Sequence, residues 1–182
     1  MTNTSTLVVA TAIAGFSCIA YGQPYGQLTV TEDLIRREIV RLGGDWESGR
    51  KPVLVSFLGD KFESRHFEML THLPTVEYFH ADECFIDHFA LACLSQVHDL
   101  ERLDIKRCSL KSESLSLLRG NRELKEIYLE SITLTDKVIA EIATLEHIKT
   151  LVFIDCEGLT AERMSTLKAA LPDVTITATE RR

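Results

Sequence analysis

The sequence predicts an α/β fold in which short strands and helices alternate and stack as a repeating solenoid. Residues 100–110 read LERLDIKRCSL, where apolar residues and one cysteine follow the order L-x-x-L-x-L-x-x-C-x-L. The same order recurs in residues 76–86 and, with Ile132 at the cysteine position, in residues 124–134, so the three blocks start 24 residues apart. A fixed period of this length is typical of proteins in which each repeat stacks on its neighbours.

A second apolar pair follows each block at the spacing of one helical turn. The pairs are Leu91 and Leu94, Leu115 and Leu118, Ile139 and Ile142, and Met164 and Leu167. Each unit is therefore predicted to be a strand, a turn and a helix, and neither element can bury its apolar face alone. The predicted units span residues 49–72, 73–96, 97–120, 121–144 and 145–170, and a last strand is predicted at 174–176.

The residues before the repeats are predicted to form a helix that covers the open end of the core. Thr31 is a suitable N-cap, because its hydroxyl can accept a hydrogen bond from the first turn. Gly43 and Gly44 follow the last apolar position and are typical of a left-handed helix end. Trp46 stands just before the first repeat, where its ring can close the core or remain half exposed.

The N-terminal segment has the features of an export signal. Residues 6–20 form an apolar run that is too short to span a bilayer comfortably. Ala20 and Gly22 are small residues at the two positions that a signal peptidase reads, which places cleavage before Gln23. We therefore predict a signal peptide at residues 1–22 and export to the periplasm or the extracellular space. The residues before the run contain no lysine or arginine, so a membrane-anchored or cytoplasmic protein stays open as the alternative.

Length and charge limit the classes of function. The chain has 182 residues, which suits one domain with a sizeable core. Its formal net charge is -7, and residues 1–22 contain no charged side chain, so the whole acidic excess lies in the rest of the chain. An acidic domain is repelled by phosphate backbones, so nucleic acid is not expected as a partner.

Three of the five cysteines follow the repeat period. Cys84, Cys108 and Cys156 are separated by one and two periods, and the sequence contains no C-x-x-C pair. This spacing predicts a buried column of small side chains and not a disulfide framework.

These units resemble leucine-rich repeats of the cysteine-containing type over residues 49–176. The RLGG helix end, the strand VLVSF and the segment ALPDVTI resemble short exported bacterial leucine-rich-repeat proteins. The resemblance implies a right-handed curved solenoid with a parallel sheet on the concave side and helices on the convex side. Together with the N-terminal segment, it divides the chain into a signal peptide at 1–22, a linker and N-terminal capping helix at 23–48, and a repeat domain at 49–182. It also implies binding as the usual activity and supplies no catalytic residues.

The candidate site is the concave face of the predicted sheet. Side chains alternate across a strand, so the residues between the motif leucine positions point to this face. Opposite charges are expected to pair across neighbouring strands: Arg102 with Glu126, His80 with Asp104, and Lys106 with Asp82 and Glu130. Exposed pairs contribute little to stability, so a solvated charge ladder is an alternative to a binding face. The candidate partner-binding residues are Tyr78, His80, Asp82, Arg102, Asp104, Lys106, Glu126, Tyr128 and Glu130.

Catalytic and metal-binding functions are not expected. Cys84, His88 and Cys93 have ligand chemistry, but they fall on the core ladder, the following turn and the next helix, so they are not expected to converge on zinc. His80 near Asp104 resembles a base and its orienting carboxylate, but no nucleophile stands in a recognisable motif.

The sequence therefore predicts a non-enzymatic module without a cofactor, which binds a protein partner through the concave face and is itself monomeric. Tyr78, Arg102 and Tyr128 are the expected anchors, because aromatic and arginine side chains dominate interface energetics. The alternatives are a self-assembling or membrane-associated scaffold component, held at the membrane through its N-terminus, and an intracellular leucine-rich-repeat adaptor.

Overall fold

A computed structural model describes residues 28–47, 54–73, 75–110 and 114–180. The predicted signal peptide at residues 1–22 lies outside the described residues.

The described residues form a mixed α/β structure around a seven-stranded sheet. In chain order the strands are β1 (Asp45–Glu47), β2 (Leu54–Leu58), β3 (Tyr78–Asp82), β4 (Phe85–Ile86), β5 (Arg102–Lys106), β6 (Ser109–Leu110), β7 (Glu126–Glu130), β8 (Thr150–Ile154) and β9 (Thr175–Thr179). The sheet order is β1-β2-β3-β5-β7-β8-β9, and every pair is parallel except β1 with β2. The two-residue strands β4 and β6 form a second, smaller parallel pair.

Helical segments connect successive strands of the sheet. The α-helices are α1 (Leu28–Leu42), α2 (His88–Leu94), α3 (Asp136–Ile142) and α4 (Ala161–Ala170), and 3-10 helices occupy Ser64–His72 and Leu115–Gly120. The sequence predicts an α-helix in every unit, which is wrong for the two 3-10 segments. Residues three apart share a face in both helix types, so the Leu115 and Leu118 pair does not distinguish them.

The strand register follows the repeat period. Tyr78 pairs with Arg102, and Arg102 pairs with Glu126, which are successive steps of one period. Thr150 pairs with Thr175, a step longer by one residue. The fifth unit contains one additional residue, at Glu157-Gly158, between its cysteine and the next leucine. Within β3, β5, β7 and β8 the second and fourth residues are buried and the others are half-buried. We call these sides the inner face and the outer face of the sheet.

Phenylalanines fill the inner side of the first two units. The rings of Phe57 and Phe62 stack with centroids 4.2 Å apart, and Phe67 and Phe79 meet Phe57 edge to face at 5.1 Å. All four side chains are fully buried. Burial of aromatic rings of this size is a large source of core stability.

Helix α1 begins earlier than the sequence predicts. It starts at Leu28, so Thr31 lies inside the helix and is not its N-cap. The predicted C-terminal end is confirmed: Gly43 has a φ of +96°, and the N–H of Gly44 donates to the carbonyl of Ile39 at 2.9 Å. These are the features of a helix end that reverses through a left-handed residue. A side chain at Gly44 would meet the carbonyl oxygen of Ser56 at 2.4 Å, so this position also needs glycine for close approach.

The last strand is longer than predicted. The sequence predicts a strand at 174–176, but β9 extends to Thr179. Ile176 is the only long apolar side chain in β9, so the apolar alternation that marks the other strands does not extend through its second half.

A left-handed residue follows each main strand at the repeat period. The non-glycine residues with positive φ are Glu83, Arg107, Ser131 and Asp155, and Gly59 takes the equivalent place in the first unit. Their N–H groups donate to the last carbonyl of the next strand, as Arg107 does to Glu130 and Ser131 to Ile154, both at 2.8 Å. The left-handed conformation costs about 1–2 kcal/mol for a residue with a side chain, and the hydrogen bond offsets part of that cost.

The cysteine ladder lies next to these turns. Each thiol reaches a backbone carbonyl of the preceding unit: Cys84 reaches Phe57 at 3.4 Å, Cys108 reaches Ala81 at 3.4 Å, and Cys156 reaches Leu129 at 3.2 Å. All three are free thiols. Cys84 and Cys108 are buried as predicted, whereas Cys156 is only partly buried.

We predict that Cys84 resists alkylation in the folded protein and that Cys156 reacts faster. A hydrogen bond with the Cys108 thiol, together with burial, raises the pKa of the Cys84 thiol, so little reactive thiolate forms. Labelling at each cysteine is measured by peptide mass spectrometry before and after unfolding in denaturant. Equal labelling rates for Cys84 in the folded and unfolded protein would contradict the assignment of this ladder.

Candidate functional site

All nine candidate residues lie on the outer face of the sheet, on β3, β5 and β7. Each is half-buried, since its neighbours along the strand point into the core. The parallel register places β5 between the other two strands, about 4.8 Å from each. Side chains from all three strands therefore meet around β5.

The three predicted anchor residues form one contact group. The guanidinium carbon of Arg102 lies 4.6 Å from the ring centroid of Tyr78 and 3.8 Å from that of Tyr128. We call this group of Tyr78, Arg102 and Tyr128 the arginine stack. Cation–π contacts of this kind contribute about 0.5–1 kcal/mol each at exposed sites and more when water is excluded.

Asp104 holds the arginine stack in place. Its two carboxylate oxygens accept hydrogen bonds from Nε of Arg102 at 2.8 Å and from Nη2 at 2.9 Å. The hydroxyl of Tyr78 also donates to Asp104. Nη1 of Arg102 points to Glu126, with its carboxylate oxygen 3.7 Å away. Such a two-pronged pair fixes the guanidinium plane as well as its position.

The same contacts shift two pKa values. The hydrogen bond with Asp104 raises the pKa of Arg102 above its already high value. Burial and the hydrogen bond to Asp104 raise the pKa of the Tyr78 hydroxyl. The stack therefore keeps a cation and a neutral phenol side by side at physiological pH.

The predicted ion pairs are confirmed in part. Arg102 meets Glu126, and Nζ of Lys106 lies 3.3 Å from Glu130. The predicted pair of His80 and Asp104 is not among the contacts of the described residues, because Asp104 binds Arg102 and Tyr78 instead.

Asp82 pairs with a residue that sequence reasoning missed. The sequence predicts Lys106 as its partner, but Nη2 of Arg107 lies 2.6 Å from the Asp82 carboxylate. Nε of Arg107 also lies 3.0 Å from Glu83. Arg107 occupies the left-handed turn position, where the backbone turns its side chain toward the preceding unit. The repeat period marks this position, but strand alternation does not reveal that its side chain reaches the outer face.

Glu141 is a second missed residue, on the helical side of the protein. Its helical position predicts a solvated charge, but its carboxylate accepts hydrogen bonds from the N–H groups of Ser114 and Leu115, at 3.0 and 2.9 Å. It therefore satisfies backbone donors at the start of the second 3-10 helix. This contact ties α3 to the preceding unit and has no part in the candidate site.

A groove of about 490 Å³ lies at the turn end of the strands, apart from the arginine stack. Arg65, Arg107, Glu83 and the half-exposed ring of Phe85 contribute to its lining. Both arginines already pair with carboxylates, Arg65 with Glu63 and Arg107 with Asp82 and Glu83. The groove therefore does not offer a concentrated positive charge.

The described residues contain no group of three or more His, Cys, Asp or Glu side chains arranged to hold a metal ion. Nδ1 of His88 lies 3.1 Å from the hydroxyl of Ser114, which accounts for one of its ring nitrogens. Within the described part of the chain, no helix has the length and apolar character that crossing a membrane requires.

Comparisons with known proteins find likenesses among solved structures but none at the level of sequence families. No protein-family model matches the chain, and no curated protein matches it. Among solved structures, the chain is similar to an internalin from Listeria monocytogenes, with 15% sequence identity and a TM-score of 0.43. The alignment covers 91% of this chain and 55% of the internalin, so the chain spans about half the length of that protein. A likeness at this level does not assign a family.

We predict that Tyr78 makes folding stability decrease at high pH. In the unfolded chain its hydroxyl ionises near the ordinary pKa of 10.0, whereas in the folded protein the pKa is raised. The contribution to stability is therefore complete below about pH 10 and is lost as the pH rises toward the folded-state pKa.

The measurement compares the free energy of unfolding of the wild type and of Tyr78→Phe across this pH range. The difference between the two proteins should change above about pH 10, to the disadvantage of the wild type. The pH-dependent contributions of the titratable groups that both proteins share cancel in this difference. A difference that stays constant with pH would show that the hydroxyl has an ordinary environment.

Proposed function

We propose that the chain is a leucine-rich-repeat module without enzymatic activity that binds a protein partner through the outer face of its sheet, the concave face of a solenoid. The observation that carries this proposal is the arginine stack. It places two tyrosines and one arginine at the centre of a half-buried face, already held in one geometry.

Preorganisation favours binding by this face. Ordering a long side chain at an interface costs about 0.5–1.5 kcal/mol, and this cost is smaller when the side chain is already fixed. The Arg102 guanidinium packs on two rings, and its Nε and Nη2 are bound to Asp104. Tyrosine and arginine are also the residue types most enriched among interface residues with large energetic contributions.

The charged residues around the arginine stack are suited to orienting the partner. Around the stack lie the basic Lys106 and the acidic Asp82, Glu126 and Glu130, and His80 lies beside them on β3. Charges at the rim of an interface set orientation and association rate more than affinity. We assign the anchor role to the stack, and the orienting role to His80, Asp82, Asp104, Lys106, Glu126 and Glu130.

A paired set of variants tests the face. The first carries Tyr78→Ala, Arg102→Ala and Tyr128→Ala, and the matched control carries Glu123→Ala, Glu162→Ala and Lys168→Ala on exposed positions away from the sheet. With the wild-type protein as bait, partners are captured from the native compartment, and each variant is then compared by direct binding. We expect only the first variant to lose the captured protein, by at least tenfold in affinity, about 1.4 kcal/mol.

Folding is checked by circular dichroism and thermal melting for both variants. Tyr78→Phe adds a gentler test, because it keeps the ring on Arg102 and removes only the hydroxyl bond to Asp104. Binding lost by the control set and kept by the stack set would place recognition on the helical side and contradict the proposal.

We also propose that the protein is exported and that residues 1–22 are removed. The support is the apolar run at 6–20, followed by small residues at the two positions before Gln23 that the peptidase reads. The mass of the protein purified from its native source should correspond to a chain that begins at Gln23. A chain that retains Met1 would favour the membrane-anchored or intracellular alternatives.

A further inference from the structure

Strand β9 forms one edge of the described sheet. Among the described strands, β9 pairs with β8 alone. It reads TITAT, which has high β-propensity and contains neither charge nor proline. Edge strands in natural proteins are usually short, charged or interrupted by proline, because an open edge pairs readily with another chain. At the opposite end of the sheet, β1 is only three residues long.

The backbone of β9 has a defined free side. The N–H of Thr175 donates to the carbonyl of Lys149, and the carbonyl of Thr179 accepts from Asp155, both at 2.9 Å. Backbone groups alternate sides along a strand, so those of Thr175, Thr177 and Thr179 point toward β8. The N–H and carbonyl groups of Ile176 and Ala178 therefore point away from the sheet.

We propose that two copies of the chain pair antiparallel through β9, with the twofold axis at Thr177, in place of the monomer that the sequence alone predicts. In this register Ile176 faces Ala178 of the second copy, and these residues exchange both backbone hydrogen bonds. Ala178 and Ile176 of the second copy form the equivalent pair. The four backbone groups that point away from the sheet in each strand are therefore all hydrogen-bonded. The two sheets join into one, and the contact is closed by symmetry.

The side chains match in the same register. On the outer face Thr177 meets its own copy, and Thr175 meets Thr179 of the second copy, so three threonine pairs form across the axis. On the inner face the larger Ile176 lies opposite the smaller Ala178.

The end of the core supplies a second reason for a covering copy. A recess of about 430 Å³ beside β9 is lined by Phe153, Cys156, Leu159, Ala178, Thr179 and Glu180. Repeat proteins commonly cover the ends of their stack with a further element. The second copy would cover this recess as it extends the sheet. This proposal does not depend on the function assigned to the arginine stack.

The test uses the 182-residue chain and two charge variants at the axis. Thr177 is exposed, so Thr177→Lys and Thr177→Glu should fold, as circular dichroism would verify. Each places like charges opposite each other in a dimer, whereas a mixture of the two places opposite charges together. Ser165→Lys, at an exposed position of α4, is the matched control for an added positive charge. Molar mass is measured by light scattering after size-exclusion chromatography over a range of concentrations.

We expect a dimer for the wild type and for Ser165→Lys, a monomer for each axis variant alone, and a dimer when the two axis variants are mixed. Recovery on mixing would identify the axis, because a general loss of structure is not repaired by an oppositely charged copy. A wild type that is monomeric at its highest soluble concentration would overturn the proposal. So would a dimer that both axis variants retain, or one that the Ser165→Lys control also loses.

Discussion

The hydrogen bond from each left-handed turn residue to the end of the next strand is the contact on which the rest of the structure depends. Arg107 and Ser131 each donate their N–H to the last carbonyl of the strand that follows one period later. This bond fixes where a strand ends relative to its neighbour. It thereby fixes the pairing of all the residues that precede the turn in that strand. A shift of one residue in the pairing of a strand would turn all of its inner-face side chains to the outer face.

The arginine stack is a direct product of that register. Tyr78 of β3 pairs directly with Arg102 of β5. Tyr128 of β7 pairs instead with Asp104, which lies two residues after Arg102. This diagonal arrangement brings both rings against the guanidinium, while Asp104 accepts hydrogen bonds from its Nε and Nη2. The site therefore needs three strands in one register, and no single unit contains it.

Much of the fold is visible in the sequence because the period is regular and the inner residues are apolar. The strands β3, β5, β7 and β8, their inward residues and the glycine end of α1 all follow from that pattern. The 3-10 segments do not, since Leu115 and Leu118 suit either helix type. In the site, the residues of the face follow from strand alternation, but the partners of Asp82 and Asp104 do not. A long charged side chain can reach several oppositely charged neighbours at similar distances. Arg107 lies in a turn, where strand alternation does not predict the direction of its side chain.

The turn geometry also determines how a chain of this kind can change in length. Gly59, Glu83, Arg107, Ser131 and Asp155 repeat one backbone conformation, so each unit begins and ends in the same way. Duplication or loss of one whole unit would leave every remaining junction intact. An insertion of one residue within a strand would turn the following residues of that strand to the opposite face. The Glu157-Gly158 site instead accommodates its additional residue after the strand has ended, where Gly158 adopts a φ of +80°. Such a gene can therefore grow or shrink by tandem duplication, and drift in length is confined to the loops after the turns.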